Sequence, residues 1–111
     1  MVQKTVKFTL SVIDIYKYLK SNKGEFILSK QLMRSASAIG ALVHEAQEAE
    51  SKRDFIHKMT IALKEARETE YWFQIVLEAN YINAERIKYA NIQLQEILRI
   101  LTAIVKTSKI N

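Results

Sequence analysis

Apolar residues recur along most of the chain at steps of three and four, which places them on one face of an α-helix. In the first stretch the repeat consists of Phe8, Val12, Ile15 or Tyr16, and Leu19. The pattern predicts a first helix over residues 2–21. Residues 21–25 are typical of a turn, because Gly24 can adopt the left-handed conformation that ends a helix.

Two further amphipathic stretches follow. Ser29 is a good N-cap for a second helix reaching to about Glu50, with an apolar stripe of Leu32, Ala36, Ile39, Val43 and Ala46. Ser51 and Asp54 resemble a capping box that starts a third helix. The inner positions of that helix are Phe55, Met59, Ala62, Ala66, Phe73, Val76 and Leu77. Four more apolar residues widen its surface beyond one stripe: Ile56, Leu63, Tyr71 and Trp72.

A short break at residues 80–83 precedes a fourth helix, for which Asn83 is the predicted cap. Its apolar positions keep a seven-residue pattern that is typical of a bundle seam: Ile87, Ala90, Leu94, Ile97, Leu101 and Ile104. Short connections make sequence neighbours pack antiparallel. The predicted fold is therefore all-α, an antiparallel up-down-up-down four-helix bundle in which residues 1–111 form one domain.

Composition supports helix and narrows the class of protein. The 111 residues include no proline, two glycines and no cysteine, so disulfides, thiolate metal sites and cysteine nucleophiles are excluded. No apolar run approaches the length that crosses a bilayer, and the first residues do not resemble a secretory signal. We expect a soluble cytoplasmic protein with no membrane partner.

Catalytic and metal-binding patterns are weak. Asp54 and His57 form one defective version of the Glu-x-x-His motif of di-iron bundles, and His44 stands apart from it. Ser35 and Ser37 lie in a stretch of small residues without a histidine at a compatible spacing, so packing is their expected role. We predict no enzyme activity, no metal and no cofactor.

Charged residues on the third helix have two interpretations. Lys64 with Glu68, and Arg67 with Glu70, are spaced as weak pairs on a solvated helix face. The alternative is a buried polar cluster in which Glu45, Glu68 and Arg99, from three different helices, meet inside the bundle.

The net charge of +5 is concentrated at the two ends of the sequence, around an acidic middle. In the predicted bundle one pole gathers Lys4, Lys7, Lys52, Arg53, Lys106 and Lys109. The opposite pole gathers Lys17, Lys20, Lys23, Lys30, Arg34, Arg86 and Lys88. Either pole is a candidate surface for phosphates, and scattered solubilising charge is the alternative interpretation.

Several segments together resemble one known family. They are LSKQLMRSASAIGA at residues 28–41, EAQEA at 45–49, FIHK at 55–58 and ALKEARETEYW at 62–72. The resemblance is to the bacterial four-helix-bundle proteins encoded within 23S rRNA intervening sequences. The chain departs from that pattern at Leu42-Val43-His44, where the family suggests Asn-Ile-Ala.

The resemblance implies a homopentamer with a central channel and no enzymatic activity. It also implies kinship to the accessory protein of diversity-generating retroelements, a basic pentamer that binds nucleic acid and a reverse transcriptase. In such a ring the extra apolar residues of the third helix would be subunit contacts, and each basic pole would be repeated around the axis. The leading hypothesis is a non-enzymatic homo-oligomer that binds RNA or other nucleic acid. The alternative is a protein-interaction or scaffold module with an acidic polypeptide partner.

Overall fold

The predicted helices are all present in the computed structural model, which describes residues 1–110 and the side chains of residues 1–108. The helices are α1 (Val2–Lys23), α2 (Leu28–Ala46), α3 (Lys52–Glu78) and α4 (Ala84–Ile110). Residues 1–110 contain no strand. The all-α, four-helix prediction is therefore confirmed. None of these helices combines the length and apolar character needed to cross a membrane.

The end of α1 is a glycine cap. Gly24 has a φ of 61°, in the left-handed region where a side chain would be strained. The amide of Gly24 donates to the carbonyl of Lys20, and the amide of Glu25 donates to the carbonyl of Leu19 at 2.9 Å. These bonds satisfy carbonyls that the helix end would otherwise leave unpaired, so the chain turns at the predicted residue.

The start of α2 differs from the prediction, because the cap is Glu25 and not Ser29. One carboxylate oxygen of Glu25 accepts from the amides of Ile27 and Leu28, and the other accepts from the amide of Ser29 at 2.7 Å. Ser29 lies inside the helix, fully buried, and its hydroxyl donates to the carbonyl of Glu25. The helix also ends earlier than predicted, at Ala46, since residues 47–49 continue as single turns.

The caps predicted for α3 and α4 are confirmed. The Ser51 hydroxyl accepts from the amide of Asp54 at 3.0 Å, and the Asp54 carboxylate accepts from the amide of Glu50 at 3.3 Å. The side-chain oxygen of Asn83 accepts from the amide of Arg86 at 3.0 Å. Asp54 therefore serves the helix start, as the capping interpretation of this residue expected.

The helices pack in a square, with α1 and α3 each in contact with both α2 and α4. Side-chain pairs between α2 and α3 show their relative direction. Ser35 meets Thr69 and Glu45 meets Lys58, so residue numbers rise along α2 as they fall along α3. The same order joins α1 to α4, where Lys4 pairs with Glu96 and Tyr18 lies beside Arg86. These neighbours are antiparallel, and the molecule is a rod of 46 × 21 × 20 Å.

One apolar core runs along the inside of the square. In α4 the predicted seam is buried from Ile87 to Leu101, and Ile104 is half-buried against it. The rings of Phe8 and Phe73 meet edge to face across the core at 6.2 Å. On α3 fewer of the extra apolar residues are left uncovered than the sequence predicted, because Leu63 and Trp72 pack against the core. Tyr71 stays exposed, so α3 has less free apolar surface than the sequence suggested.

Candidate nucleic-acid interface

The first predicted basic pole is divided by the axial offset of the helices. Lys4 forms an ion pair with Glu96 of α4, and the neighbouring Gln95 donates to Glu70 of α3 at 2.9 Å. Lys4 therefore lies level with Glu70, which follows Lys52 by eighteen residues. At about 1.5 Å per residue, this pairing and the contacts of α1 and α3 with α2 place Lys52 roughly 15 to 27 Å further along the rod. Lys4 and Lys7 do not share a surface with Lys52 and Arg53.

The outer end of that pole has mixed charge. Lys52, Arg53 and Lys106 are exposed, and the side chain of Lys109 lies outside the described residues. Within residues 45–54, however, Lys52 and Arg53 are outnumbered by four carboxylates: Glu45, Glu48, Glu50 and Asp54. The net charge of this segment is −2, so its two cations are a poor site for phosphate.

The second pole keeps most of its predicted cations at one end of the rod, where α1 ends and α2 and α4 begin. We call this end of the rod the basic end; its cations are Lys17, Lys20, Lys23, Lys30, Arg86 and Lys88. The Lys20 ammonium donates to the Tyr16 hydroxyl at 3.2 Å, and the Arg86 guanidinium stacks over the Tyr18 ring at 3.9 Å. Among the side chains of residues 1–108, no carboxylate lies within 4.0 Å of these six cations.

Two carboxylates lie close in sequence to the basic end: Glu85 is exposed in the first turn of α4, whereas Glu25 is engaged elsewhere. Glu25 is only 7% exposed, because its oxygens are directed at the backbone amides that begin α2. Burial by itself raises the pKa of Glu25, but the amides of Leu28, Ser29 and Ile27 outweigh it and hold the pKa below its ordinary value. The Glu25 carboxylate therefore stabilises the first turn of α2 and does not pair with the lysines.

Arg34 was predicted at the second pole but is not part of the basic end. Its guanidinium reaches across to α3, where it bonds to Glu65 at 3.1 Å and to Glu68. The Glu68 carboxylate also accepts from the Trp72 indole at 3.0 Å. The Trp72 bond, followed by the Arg34 bond, lowers the pKa of Glu68. Arg34 thus links two helices and is already neutralised.

The predicted buried cluster of Glu45, Glu68 and Arg99 is wrong, since the structure does not bring these residues together. Glu45 is exposed and pairs with Lys58 of α3 at 3.6 Å. Glu68 belongs to the Arg34 network, and Arg99 is exposed on α4. The solvated-face interpretation fits better, because Arg67 and Glu70 form the predicted exposed pair at 3.5 Å.

An aromatic side chain that the sequence reasoning missed lies beside the basic end. Tyr89 of α4 is 67% exposed and stands over the groove between α1 and α4. Tyr18 and Arg86 line the same groove with Asp14 of α1. The sequence does contain an indication that Tyr89 is exposed. Tyr89 precedes the inward-facing residue Ala90, so the seven-residue pattern places it on the outer side of α4.

Comparison with known proteins agrees with the helical architecture and with the segments that carried the resemblance. The family model of the 23S rRNA-intervening sequence protein matches residues 1–103. The chain belongs to this family. It is also similar to the crystal structure, at 1.70 Å resolution, of a protein of unknown function from the S23 ribosomal protein family of Bacteroides thetaiotaomicron VPI-5482. The two chains are 41% identical over 95% of this chain and 97% of that one, with a TM-score of 0.91. No curated protein matches the chain.

The two histidines of the chain lie apart on its surface. His44 is exposed at the α1–α2 groove, and His57 is exposed on α3. Asp54, the third member of the defective motif, is half-buried in its cap. Within the described part of the chain, no three His, Asp or Glu residues are grouped closely enough to hold a metal ion.

Proposed function

We propose that this intervening-sequence protein is a non-enzymatic homo-oligomer that binds RNA, or other nucleic acid, through the basic end. The observation that carries the proposal is the group of six cations at that end, which lie within salt-bridge distance of no described carboxylate. Phosphate contacts made by such side chains do not replace an existing ion pair. By contrast, Lys4 and Arg34 would have to leave Glu96, Glu65 and Glu68.

Binding of this kind depends on charge and not on base sequence. Lysine contacts to phosphate position the nucleic acid but carry no base information. Each neutralised phosphate releases condensed counterions, so the logarithm of affinity falls with the logarithm of salt concentration. With about five phosphates engaged, the slope is roughly −4 to −5 on a duplex.

Assembly into a ring strengthens this mechanism. The face between α1 and α2 supports self-association, because Leu10 is 57% exposed there and Val6 is exposed beside it. On the opposite side of that groove Gly40 and Ala41 have no large side chains, which allows close approach of another helix. A pentamer, as the family resemblance implies, repeats the basic end five times. In this proposal the subunits contact one another through the α1–α2 face, and not through the third helix as the sequence suggested.

A matched pair of charge reversals tests the nucleic-acid part of the proposal. Lys17→Glu with Lys88→Glu removes two cations of the basic end, and Lys52→Glu with Arg53→Glu makes the same change in net charge at the other end. Fluorescence polarisation of a labelled structured RNA should show affinity falling at least about tenfold for the first double variant, with a salt slope about 2 smaller. The second should change affinity by less than about threefold. Equal effects, a flat salt titration or no binding at low salt would contradict the proposal.

Two further measurements separate the proposal from the protein-interaction alternative. Sedimentation velocity of the full chain should show an oligomer, and Leu10→Glu should dissociate it; a lone subunit at micromolar concentration contradicts the oligomeric part. Capture from lysate with and without nuclease identifies the partner class. Loss of the captured material after nuclease supports nucleic acid, whereas a stoichiometric polypeptide that survives nuclease supports the alternative.

A further inference from the structure

Tyr89 stands between two depressions of the groove that α1 and α4 form. On one side, Tyr89 shares the groove with Tyr18, Arg86 and Asp14. On the other side it shares a second depression with Lys7 and with the ion pair of Lys4 and Glu96. The ring is therefore accessible from both sides, and a cation lies in each depression. This is an extended surface along α1 and α4 that continues from the basic end.

We propose that the Tyr89 ring is a stacking platform for an unpaired nucleobase, with phosphates of the same strand held by Arg86 on one side and Lys7 on the other. This inference rests on the proposed function and specifies its ligand as single-stranded nucleic acid. Exposed aromatic rings flanked by cations bind single strands without sequence preference, because every base has a π-face. A duplex keeps its bases stacked on one another, so they are not available to Tyr89.

The Arg86 side chain already has a defined position that suits a contact with phosphate. Its guanidinium stacks over Tyr18 at 3.9 Å, while its amide is fixed by the Asn83 cap. Stacking on the ring leaves the N–H groups at the edge of the guanidinium free to donate to a phosphate. Because the side chain already has a defined position, less conformational entropy is lost when it binds.

A hydrogen-bond acceptor near Tyr89 suits the N–H groups on the edges of bases. Asp14 lies in the first depression, where its carboxylate repels phosphate but accepts from base amino or imino groups. The first depression thus offers an acceptor to a base, and each depression offers a cation to a phosphate.

A second exposed tyrosine provides the control. Tyr71 of α3 is 53% exposed, but the groove beside it contains Glu70 and Glu78. The one cation in that groove, Arg67, is already paired with Glu70 at 3.5 Å. Tyr71→Ala therefore removes a similar exposed ring from a surface that repels phosphate.

The test compares a short labelled single-stranded RNA with the same strand in a duplex, using the full chain. Tyr89→Ala should weaken single-strand binding about ten- to a hundredfold, as expected for the loss of one base stack. The duplex affinity and the salt slope should stay unchanged, because tyrosine carries no charge. Tyr89→Phe should restore single-strand binding, and Tyr71→Ala should leave both affinities as they are. Circular dichroism should confirm that all three variants fold.

The outcomes separate this inference from the function on which it rests. If the wild-type protein binds both RNAs and Tyr89→Ala has no effect, or weakens both equally, the stacking platform is overturned and the proposed function stands. The same conclusion follows if Tyr71→Ala is as damaging as Tyr89→Ala. If the wild-type protein binds neither RNA at low salt, the proposed function itself is overturned.

Discussion

Replacement of Glu25 should reveal how much one buried carboxylate contributes to the bundle. This side chain accepts hydrogen bonds from the amides of Ile27, Leu28 and Ser29 at 3.0, 2.9 and 2.7 Å. Alanine removes both oxygens and leaves those donors to water or to no partner. Glutamine keeps one acceptor oxygen and nearly the same volume but removes the charge.

The expected magnitude follows from the number and burial of these bonds. Removal of an ordinary N-cap costs about 1 kcal/mol, with a range of about 0.5 to 2. Glu25 satisfies three amides at a site that is 7% exposed, so Glu25→Ala should cost about 2 kcal/mol of unfolding free energy. For a chain of this length that corresponds to a Tm about 8 °C lower. Glu25→Gln should cost about 1 kcal/mol, because it retains part of the hydrogen bonding.

The effect of pH gives a second, independent signature. The pKa of Glu25 is lowered from its ordinary value of 4.5 in the folded protein. Its contribution is therefore fully present above the pKa of the unfolded chain and is lost as the pH falls through the lower, folded value. The difference in unfolding free energy between wild type and Glu25→Gln should be constant at neutral pH. It should shrink as the pH decreases below about 4.5.

Urea unfolding, followed by circular dichroism at one fixed protein concentration, measures both effects. Glu85→Ala is the matched control, because Glu85 is an exposed carboxylate in the first turn of α4. It should cost only a few tenths of a kcal/mol, the usual effect of a charge near a helix start. Glu25 does not have this capping role if Glu25→Ala is no more destabilising than Glu85→Ala. The same holds if the difference between wild type and Glu25→Gln persists unchanged in acid.

Two further substitutions probe the packing and polar contacts between helices. Gly40→Ala should stabilise the protein by about 0.5 to 1 kcal/mol, because alanine favours helix and its Cβ would meet Thr5 at an ordinary 3.4 Å. Gly40→Val should destabilise the protein. A loss of stability in the alanine variant would contradict this prediction. Trp72 is the one tryptophan of the chain, and its indole donates to Glu68, whose pKa is lowered from 4.5 by that bond and by Arg34. Trp72 fluorescence should therefore titrate with a midpoint below 4.5, and an identical acid titration in Glu68→Gln would refute the assignment.

Local signals predicted the helix boundaries well where cap and helix are adjacent in sequence. Ser51 and Asn83 each accept an amide hydrogen bond from a residue three positions later, so the preference of these residue types is sufficient. Glu25 was missed because it caps α2 from three residues before the helix, and glutamate is not a usual N-cap. The sequence around Ser29 favoured a cap by residue type alone, whereas the structure uses this serine inside the helix.

Long side chains were harder to place than apolar ones. Burial of Phe8, Leu32 and Leu94 follows from periodicity, since each lies on the apolar face of its own helix. Partners of Arg34 and Glu68 depend on how α2 and α3 are aligned along the rod. A shift of one helical turn, about 5.4 Å, is enough to exchange one charged partner for another. The predicted Glu45, Glu68 and Arg99 cluster failed for this reason.

The number of helices, their approximate limits and the face that each buries were determined by the sequence alone, because these features depend on interactions within a few turns. The tertiary structure decided the axial offset between helices, and therefore which cations share a surface. That offset depends on how large and small side chains fit across the core and between neighbouring helices, as where Phe8 meets Phe73 and Gly40 receives Thr5. It separates Lys4 from Lys52 and places Tyr18 of α1 beside Arg86 and Tyr89 of α4, an arrangement that no spacing within one helix specifies.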